Sequence, residues 1–411
     1  MTQNISALKT NGIMGGLIIG STIVGILLKI ISRYTVDGKQ FKHPYFITMT
    51  FFLGEALCLL FYHLDPRKNT EKERALSKGL RVNSSPFLFI IPALLDALRN
   101  LLFIIGVMFV PASVSNMMGA LVVVLTTILV RIFLKKKYHR HHLLGLICIS
   151  VGVSFVVVAQ FTNPSRSKDQ HSHHELIIGI TSIVISVLIQ AVQFIIEEKL
   201  LSNVYVSARR ITGWEGIWGL LFFIIFLSIA QNVQCDNHLC HNGVLEDTVL
   251  AFTQAAHSPF ILISLLLLAV FGCLLNTFGI MITKFASSAH RATISQVKVV
   301  LIWIFFLLYS GYGTGEDFLV LQFIGFIVLV SGVIIFNEIL EIPILGLNRN
   351  TKKSKDLRDA SITTKSVWML NEDISHDGDM TLVESHPLSV DSKASIYHNV
   401  LASTRSYDTS I

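Results

Sequence analysis

The strongest constraint on the fold is a series of long apolar segments, each about as long as a bilayer is thick. A transmembrane helix needs roughly 20 mostly apolar residues, and ten such stretches follow one another between residues 12 and 340. Only 15% of all residues are charged, whereas soluble domains contain about 25%. The sequence therefore predicts an all-α membrane protein with ten transmembrane helices. Their expected limits are 12–32, 44–64, 87–110, 112–134, 142–161, 176–197, 212–232, 260–283, 291–310 and 319–340.

The connecting loops predict the orientation of these helices. Lys and Arg are concentrated in the loops that follow the even-numbered segments, which places those loops and both termini in the cytosol. The net charge of +6 thus reflects membrane topology, and no nucleic-acid partner is expected. Segment one is preceded by Lys9 alone and exceeds the roughly 7–15 apolar residues of a signal peptide. We expect it to be a retained transmembrane helix.

Segments five and ten share a pattern of small residues. Gly145 and Gly152 have the same spacing as Gly325 and Gly332, which suggests an internal repeat. Five helices per repeat is an odd number, so the two repeats would be inverted in the membrane, with a site between them near the midplane. The expected division is a short cytosolic N-terminus (1–11), a first five-helix repeat (12–161), a luminal linker (162–175), a second five-helix repeat (176–340) and a disordered cytosolic tail (341–411).

Segment six carries a polar stripe. Ser182, Ser186, Gln190, Gln193 and Glu197 follow one another at steps of three or four residues and share one helical face. Such a stripe either forms hydrogen bonds between helices or lines a path for a solute. Segment six is expected to end on the cytosolic side near Glu197, which makes the glutamates there gate or anchor residues.

Cationic residues are candidates for ligand contacts. Arg291 and Lys298 are expected on one face of segment nine together with Ser295. Arg291 lies near the mouth of this helix, as a ligand contact or as a topology anchor, and Lys298 lies two turns deeper. Asp96 and Arg99 lie one turn apart in segment three, as a self-neutralising ion pair or as a charge pair in a cavity.

Isolated polar residues complete the set of candidates. Glu55 and Glu215 each lie beside a glycine in an apolar segment. They either take part in proton coupling and helix gating or form hydrogen bonds to neighbouring helices. Asn116 offers a hydrogen-bonding amide in segment four, whereas Asn276 in segment eight is interpreted as a helix contact.

No enzyme motif is present, and no catalytic residue, cofactor or metal ion is expected. The histidines at 139, 141 and 142 and those at 171, 173 and 174 are interpreted as solvated loops on opposite sides of the membrane. Cys58, Cys148 and Cys273 are interpreted as packing residues. Cys235 and Cys240 share a luminal loop, as a disulfide or as two reduced thiols.

The tail contains one short pattern. Tyr397 and Val400 fit the tyrosine-based sorting signal, in which a bulky apolar residue follows the tyrosine by three positions. A pattern this short also arises by chance. If it is used, a sorting adaptor is a partner of the tail.

Several stretches, taken together, resemble the drug/metabolite transporter superfamily of EamA-like proteins. Within it the chain is similar to the F branch of solute carrier family 35, in particular its lysosomal member, and that branch is related to the chloroquine-resistance-transporter group. The matching stretches are FKHPYFITMTFFLGEALCL (41–59), PALLD (92–96), QAVQFIIEEKLL (190–201), GWEGIWG (213–219), LEDTVLAFTQ (245–254) and GFIVLVSGVIIFN (325–337).

The resemblance implies ten helices in two inverted halves, alternating access to a central cavity, and an endosomal or lysosomal membrane. It also implies a short luminal amphipathic helix at LEDTVLAFTQ. The chain departs from the family pattern at four positions. Gly119 stands where the family has an arginine, Arg99 where it has a small residue, Ser295 where it has an aspartate, and Lys298 where it has an arginine. We therefore expect positive charge in the cavity to come from helix three instead of helix four.

The resulting expectation is a secondary-active transporter or exchanger of a small anionic or zwitterionic organic solute in an endomembrane, lysosomal or vacuolar. The alternative is a non-transporting membrane scaffold or adaptor that acts through its tail. Expected partners are membrane lipids, the solute, the sorting adaptor and a second copy in a homodimer. The substrate-binding candidates are Arg99, Asn116, Gln190, Gln193, Arg291 and Lys298, and the coupling or gating candidates are Glu55, Asp96, Glu198 and Glu215.

Overall fold

Apolar helices account for most of the computed structural model, which describes residues 2–66, 68–77, 79, 81–82, 85–109, 118–161, 173–234, 243–309, 311, 318–339, 351, 354 and 358. We number the helices and strands in chain order. The helices are α1 (Thr2–Ile31), α2 (Pro44–Leu64), α3 (Lys68–Ser77), α4 (Ile90–Phe109), α5 (Leu121–Phe133), α6 (Arg140–Phe161), α7 (His173–Asn203), α8 (Ala208–Ala230), α9 (Thr248–His257), α10 (Pro259–Phe285), α11 (Ser288–Ile294), α12 (Val297–Leu308) and α13 (Val320–Phe336). A 3₁₀ turn (Pro86–Phe89) precedes α4, and strands β1 (Thr35–Val36) and β2 (Lys39–Gln40) form an antiparallel hairpin after α1.

Helix length and composition agree with a multi-pass membrane protein. Within the described residues, seven helical stretches are long and apolar enough to cross a bilayer: Thr10–Ile31, Pro44–Leu64, Pro86–Phe109, Ile177–Ser202, Ala208–Ala230, Pro259–Phe285 and Ser288–Leu308. Segments four, five and ten correspond to shorter apolar helices within the described residues, at Leu121–Phe133, Arg140–Phe155 and Val320–Phe336. The helical membrane class is confirmed, and ten spans stay a prediction.

Segment nine is interrupted in the structure. It consists of α11 and α12, which are separated by a turn at Ser295 and Gln296. The hydroxyl groups of Thr293 and Ser295 donate to the carbonyls of His290 and Ala292, at 2.9 and 2.8 Å. Such bonds from a side chain to the preceding turn compete with the regular helix and bend it. Ser295 and Gln296 nevertheless keep right-handed helical dihedral angles. The turn interrupts the regular hydrogen bonding of segment nine, and the shared face of Arg291, Ser295 and Lys298 stays a prediction.

The helices pack in a small number of close pairs. The tightest neighbours are α6 with α13, α2 with α8, and α4 with α7, followed by α1 with α10 and α2 with α10. Glycines make the α6–α13 contact possible. A methyl group on Gly152 would lie 2.7 Å from the carbonyl oxygen of Gly325, and one on Gly145 would lie 2.9 Å from that of Gly332. The two glycine pairs with equal spacing thus face each other across one antiparallel interface, as small residues do where membrane helices approach closely.

The LEDTVLAFTQ stretch forms α9, as expected. Asp247 caps this helix by accepting a hydrogen bond from the amide of Leu250 at 2.9 Å. A buried polar cluster holds α9 to the start of α2, because both ring nitrogens of His43 are bonded. Nδ1 lies 2.7 Å from Glu246 Oε1, and Nε2 lies 3.1 Å from Gln254 Oε1. Burial raises the pKa of Glu246 above its usual range, although the hydrogen bond and charge of His43 act in the opposite direction.

The chain divides into two units, Met1–Thr351 and Lys352–Ile411. The helices numbered above all belong to the first unit. In the second, the structure describes Ser354 and Arg358, and the Arg358 side chain donates to the Ser354 carbonyl. The expected sorting residues, Tyr397 and Val400, lie outside the described residues, as does most of the expected linker, 162–172.

Candidate functional site

A chain of buried polar contacts links four helices in the interior of the protein. The Asn276 side chain on α10 donates to Glu55 Oε1 on α2 at 3.1 Å and accepts a hydrogen bond from Arg291 Nη2 on α11 at 2.8 Å. Arg291 Nη1 lies 2.5 Å from Glu197 Oε2 on α7. Glu197 Oε1 accepts from the amide of Gln193, one turn earlier, at 2.9 Å. These five residues, all buried, form the polar network of the candidate site.

Arg291 is the centre of the polar network, and its surroundings are built to hold it. Its guanidinium group lies over the ring of Phe194, 4.3 Å from the centroid, in a cation–π arrangement. Gly279 on α10 leaves the space that the side chain fills, because a methyl group there would lie 2.5 Å from Arg291 Nε. A carboxylate, an amide and an aromatic ring therefore hold one buried charge.

Glu197 and Glu198 have different roles. Helix α7 continues to Asn203, so the predicted end of segment six near Glu197 is wrong. Glu197 is 0% exposed and belongs to the polar network, where sequence reasoning placed a gate or anchor. Glu198 points to a different side because successive helical residues are rotated by about 100°. It pairs with Lys136 and accepts from the backbone amide of Ser288 at 2.7 Å, which connects α7 to the N-terminus of α11.

Glu215 on α8 is the least satisfied carboxyl group near the polar network. It is buried, and among the described residues neither of its oxygens has a hydrogen-bond partner. The charges of Glu197, Glu55 and Arg291 act on it. Glu55 Oε2 and Gln193 Oε1 are also buried and accept no hydrogen bond from the described part of the chain. Buried polar atoms are normally paired, so this group of acceptors offers positions for water or for a ligand with hydrogen-bond donors.

Asp96 and Arg99 form the predicted ion pair on α4. Arg99 Nη2 lies 3.0 Å from Asp96 Oδ1, with side chains 22% and 16% exposed, and it also donates to Asn100 at 2.7 Å. The charge of Asp96 acts on Glu55 and Glu197 of the polar network. The pair is therefore self-neutralising and also adjacent to the interior site.

Lys298 and Gln190 are half-buried. Lys298, in the first turn of α12, makes no hydrogen bond or ion pair with the described residues, although the positive charge of Arg99 acts on it. Asn116 lies outside the described residues. Of the ten candidates, the structure joins Glu55, Gln193 and Arg291 through Asn276 and Glu197. It places Asp96, Arg99, Glu215 and Lys298 within electrostatic reach of one another or of the network.

Sequence reasoning identified Asn276 as a helix contact, which the structure confirms, but missed which residues it joins. Its side-chain amide connects Glu55 to Arg291 through both of its ends. The useful signal was its position one turn from Gly279 in an otherwise apolar helix. The glycine leaves space beside Asn276, and the Arg291 side chain fills that space.

A disulfide lies one turn from the Glu55–Asn276 bond. Cys58 on α2 and Cys273 on α10 are bonded, with a Cα–Cα distance of 6.3 Å, so their interpretation as packing residues is wrong. They are separated by 215 residues in sequence, and only the contact between α2 and α10 brings them together. Cys148 is a free thiol. Cys235 and Cys240 lie outside the described residues.

The sequence model of the family described as "Nucleotide-sugar transporter" matches residues 5–337. The chain belongs to the nucleotide-sugar transporter family. This family consists of membrane transporters, so the chain is a transporter and not an enzyme. The match ends within two residues of the end of α13 and thus covers the helices that supply the polar network.

Individual members of solute carrier family 35 are similar over most of their length. The human protein named solute carrier family 35 member F6 is 29% identical over 309 residues, 75% of this chain and 81% of its own. An uncharacterized protein of Schizosaccharomyces pombe is 24% identical over 298 residues, 72% of this chain and 87% of its own. A solved structure described as a crystal structure of a protein is 12% identical and covers 80% of this chain and 97% of its own, with a TM-score of 0.49, too low for a conclusion about the fold.

Proposed function

We propose that this transporter is a secondary-active carrier or exchanger that moves a small organic anion or zwitterion across an endomembrane by alternating access. The observation that supports it best is the group of buried acceptor atoms on Glu55, Gln193 and Glu215, which lack donors among the described residues. Hydroxyl or ammonium groups of a solute would supply those donors. Lys298, unpaired within the described chain, would attract an anionic group of the same solute.

Nucleotide sugars, the class in the family's name, combine both features. Their sugar hydroxyls donate hydrogen bonds and their phosphates carry negative charge. The hydroxyls would donate to the buried acceptor atoms, and the phosphates would be attracted to Lys298. Nucleotide sugars are therefore the first solutes to test. Zwitterions with an ammonium group and a carboxylate are the second class.

The helix pairs support two inverted five-helix repeats. Such a repeat would exchange α1 with α7, α2 with α8, α4 with α10, α5 with α11 and α12, and α6 with α13. Under that exchange the α1–α10 contact becomes the α7–α4 contact, and α2–α10 becomes α8–α4; all four are observed. The α2–α8 and α6–α13 contacts map onto themselves. The polar network then lies between the repeats, with Glu55 from the first and Asn276, Arg291 and Glu197 from the second, where alternating access requires a site.

Glu215 is our candidate for proton coupling. Among the residues that the structure describes, Glu215 has no hydrogen bond to break when it gains or loses a proton, and the charges of Glu197 and Arg291 act on it. A proton on Glu215 therefore changes the electrostatic balance of the network directly. In vesicles with an imposed pH gradient, we expect the Glu215→Gln variant to exchange solute but to lose the dependence on the gradient. Gradient-driven uptake equal to that of the unmodified protein would exclude this role.

The transport proposal is tested by uptake into proteoliposomes. Full-length protein would be reconstituted and offered labelled nucleotide sugars, other organic anions and zwitterions, with Lys298→Ala as the test variant and Lys199→Ala as the control. Lys199 is exposed near the end of α7 and leaves the site intact. We expect uptake of at least one anionic solute to fall about tenfold or more in Lys298→Ala, as for the loss of a charge-assisted contact worth roughly 1.5–3 kcal/mol. Equal uptake by both variants would contradict the proposed role of Lys298, and no uptake of any class would contradict the solute proposal.

We place the protein in a lysosomal, vacuolar or other endomembrane with both termini in the cytosol. The basic loops after the even segments support this orientation, and the Tyr397 pattern supports sorting. A variant without residues 349–411 separates the transporter from the scaffold alternative in the same assay. Flux retained without the tail favours the transporter.

A further inference from the structure

Two adjacent histidines and a glutamate meet at the end of the α6–α13 pair, away from the polar network. His141 and His142 lie in the first turn of α6, and Glu338 follows α13 by two residues. One ligand atom from each of the three lies within 4.8 Å of the others. His141 Nε2 is 2.8 Å from Glu338 Oε1, and His142 Nε2 is 4.0 Å from the same oxygen.

The histidines are not part of a solvated loop. His141 is 3% exposed and His142 is 8% exposed, so the expectation of solvated loop histidines is wrong for these two. Their burial follows from the glycine contacts of α6 and α13, which bring the start of one helix against the end of the other. The rings of His141 and His142 are 4.1 Å apart, and among the described residues His141 Nδ1 has no hydrogen-bond partner.

The backbone holds Glu338 in position. Its φ of 54° lies in the left-handed region, which costs about 1–2 kcal/mol for a residue with a side chain. The preceding residue is fixed by two bonds, since the Asn337 side chain donates to Thr293 Oγ1 at 2.9 Å and to the Val333 carbonyl at 2.8 Å. The turn after α13 thus directs the Glu338 carboxylate towards His141 on α6, and the backbone of Glu338 is strained as a result.

Aromatic rings pack against His142, and the charges of Lys136 and Glu198 also act on this region. The ring of Phe336, which is fully buried, lies 5.2 Å from that of His142, and Tyr138 lies 5.4 Å from His142 on the same side. A further imidazole, His290, lies 5.9 Å from His142. Two imidazoles and a carboxylate in a protected pocket are a ligand set that suits zinc and other late first-row ions, and not magnesium.

We propose that His141, His142 and Glu338 bind one divalent transition-metal ion of the Zn²⁺ class. The ion replaces the direct His141–Glu338 hydrogen bond with metal bonds, and water or His290 completes the four-coordinate shell that zinc prefers. It joins the start of α6 to the end of α13, on the side that the basic loops assign to the cytosol. The proposal is independent of the transported solute.

The test is metal binding by the full-length purified protein. Protein stripped with a chelator would be incubated with Zn²⁺, freed of unbound ion and analysed for zinc per chain. Co²⁺ would then report four-coordinate geometry through its visible absorption. The test variants are His141→Ala, His142→Asn and Glu338→Gln. His257→Ala is the control, because His257 also contacts a carboxylate, Asp37, at 2.9 Å. That pair is exposed, and the described part of the chain offers it no third ligand group.

We expect one zinc ion per chain in the unmodified protein and in His257→Ala. When Mg²⁺ is added alone in place of Zn²⁺, we expect no bound magnesium. Loss of an outer-sphere partner typically weakens metal binding by about 10–100-fold, so loss of a direct ligand should weaken it by at least that factor. Thermal unfolding in the presence of chelator would show that the variants fold. The Glu338→Gln substitution removes the carboxylate charge but keeps the size and shape of the side chain. No bound zinc in the unmodified protein, or equal zinc content and affinity in all three test variants, would overturn the proposal.

Discussion

Replacement of Arg291 by methionine is the sharpest test of the polar network. The substitution keeps an unbranched side chain of similar length but removes the bonds to Glu197 and Asn276 and the contact with the Phe194 ring. Glu197, which is 0% exposed, would then retain, of its hydrogen bonds to the described residues, the one from Gln193. Removing one partner of a buried ion pair leaves an uncompensated charge and costs about 3–5 kcal/mol. That is a large part of the roughly 5–15 kcal/mol by which proteins are stable.

A second substitution separates the charge from the loss of packing. If the uncompensated Glu197 carboxylate causes the loss, then Glu197→Gln in the Arg291→Met background should restore part of the stability. We expect a coupling free energy between the two positions of about 0.5–3 kcal/mol. The assay is unfolding in mixed micelles with an increasing fraction of denaturing detergent, followed by circular dichroism.

The matched control is Arg209→Met. Arg209 also pairs with a carboxylate, Asp65, but its side chain is 35% exposed, and pairs of this kind contribute about 0–1 kcal/mol. A loss below about 1 kcal/mol for Arg291→Met, or strictly additive effects of Arg291→Met and Glu197→Gln, would refute the reasoning.

Three further predictions concern neighbouring residues. Gly279→Ala should cost about 1–3 kcal/mol by overpacking against Arg291, whereas Gly15→Ala, which meets nothing within 4 Å, should be neutral or slightly stabilising in the same unfolding assay. Arg99→Leu should reduce uptake of an anionic solute by proteoliposomes and leave Asp96 without its ion-pair partner; unchanged uptake would remove helix α4 as a source of positive charge for the ligand. The Cys58–Cys273 bond should yield one cross-linked peptide in mass spectrometry of unreduced protein digested after its free thiols are blocked, and recovery of both cysteines as blocked thiols would exclude the bond.

The sequence by itself determined the membrane class and most helix positions. Hydropathy is a local property of about 20 residues, so the apolar stretches of segments one, two, three, seven and eight appear close to their expected limits. The helix that contains segment one begins earlier than expected, at Thr2. The stripe from Gln193 to Glu197 was also visible, since it depends only on helical periodicity. The α9 helix was anticipated from the family resemblance. The interruption of segment nine was not predicted, because hydropathy does not report it. The break at Ser295 depends on side-chain hydroxyl groups that compete with the regular backbone hydrogen bonds.

Only the tertiary structure decided which polar faces meet. Glu197 and Arg291 are 94 residues apart, and Glu55 and Asn276 are 221 apart. No periodicity reports such distances, and a buried carboxylate in one helix does not identify its partner in another. The same holds for the Cys58–Cys273 bond and for Glu338, which lies 197 residues from His141. Each of these pairs is set by the rotation of a helix about its axis and by the glycines that let neighbouring backbones approach. Periodicity within a helix determines which side chains share a face, and packing between helices determines what that face contacts.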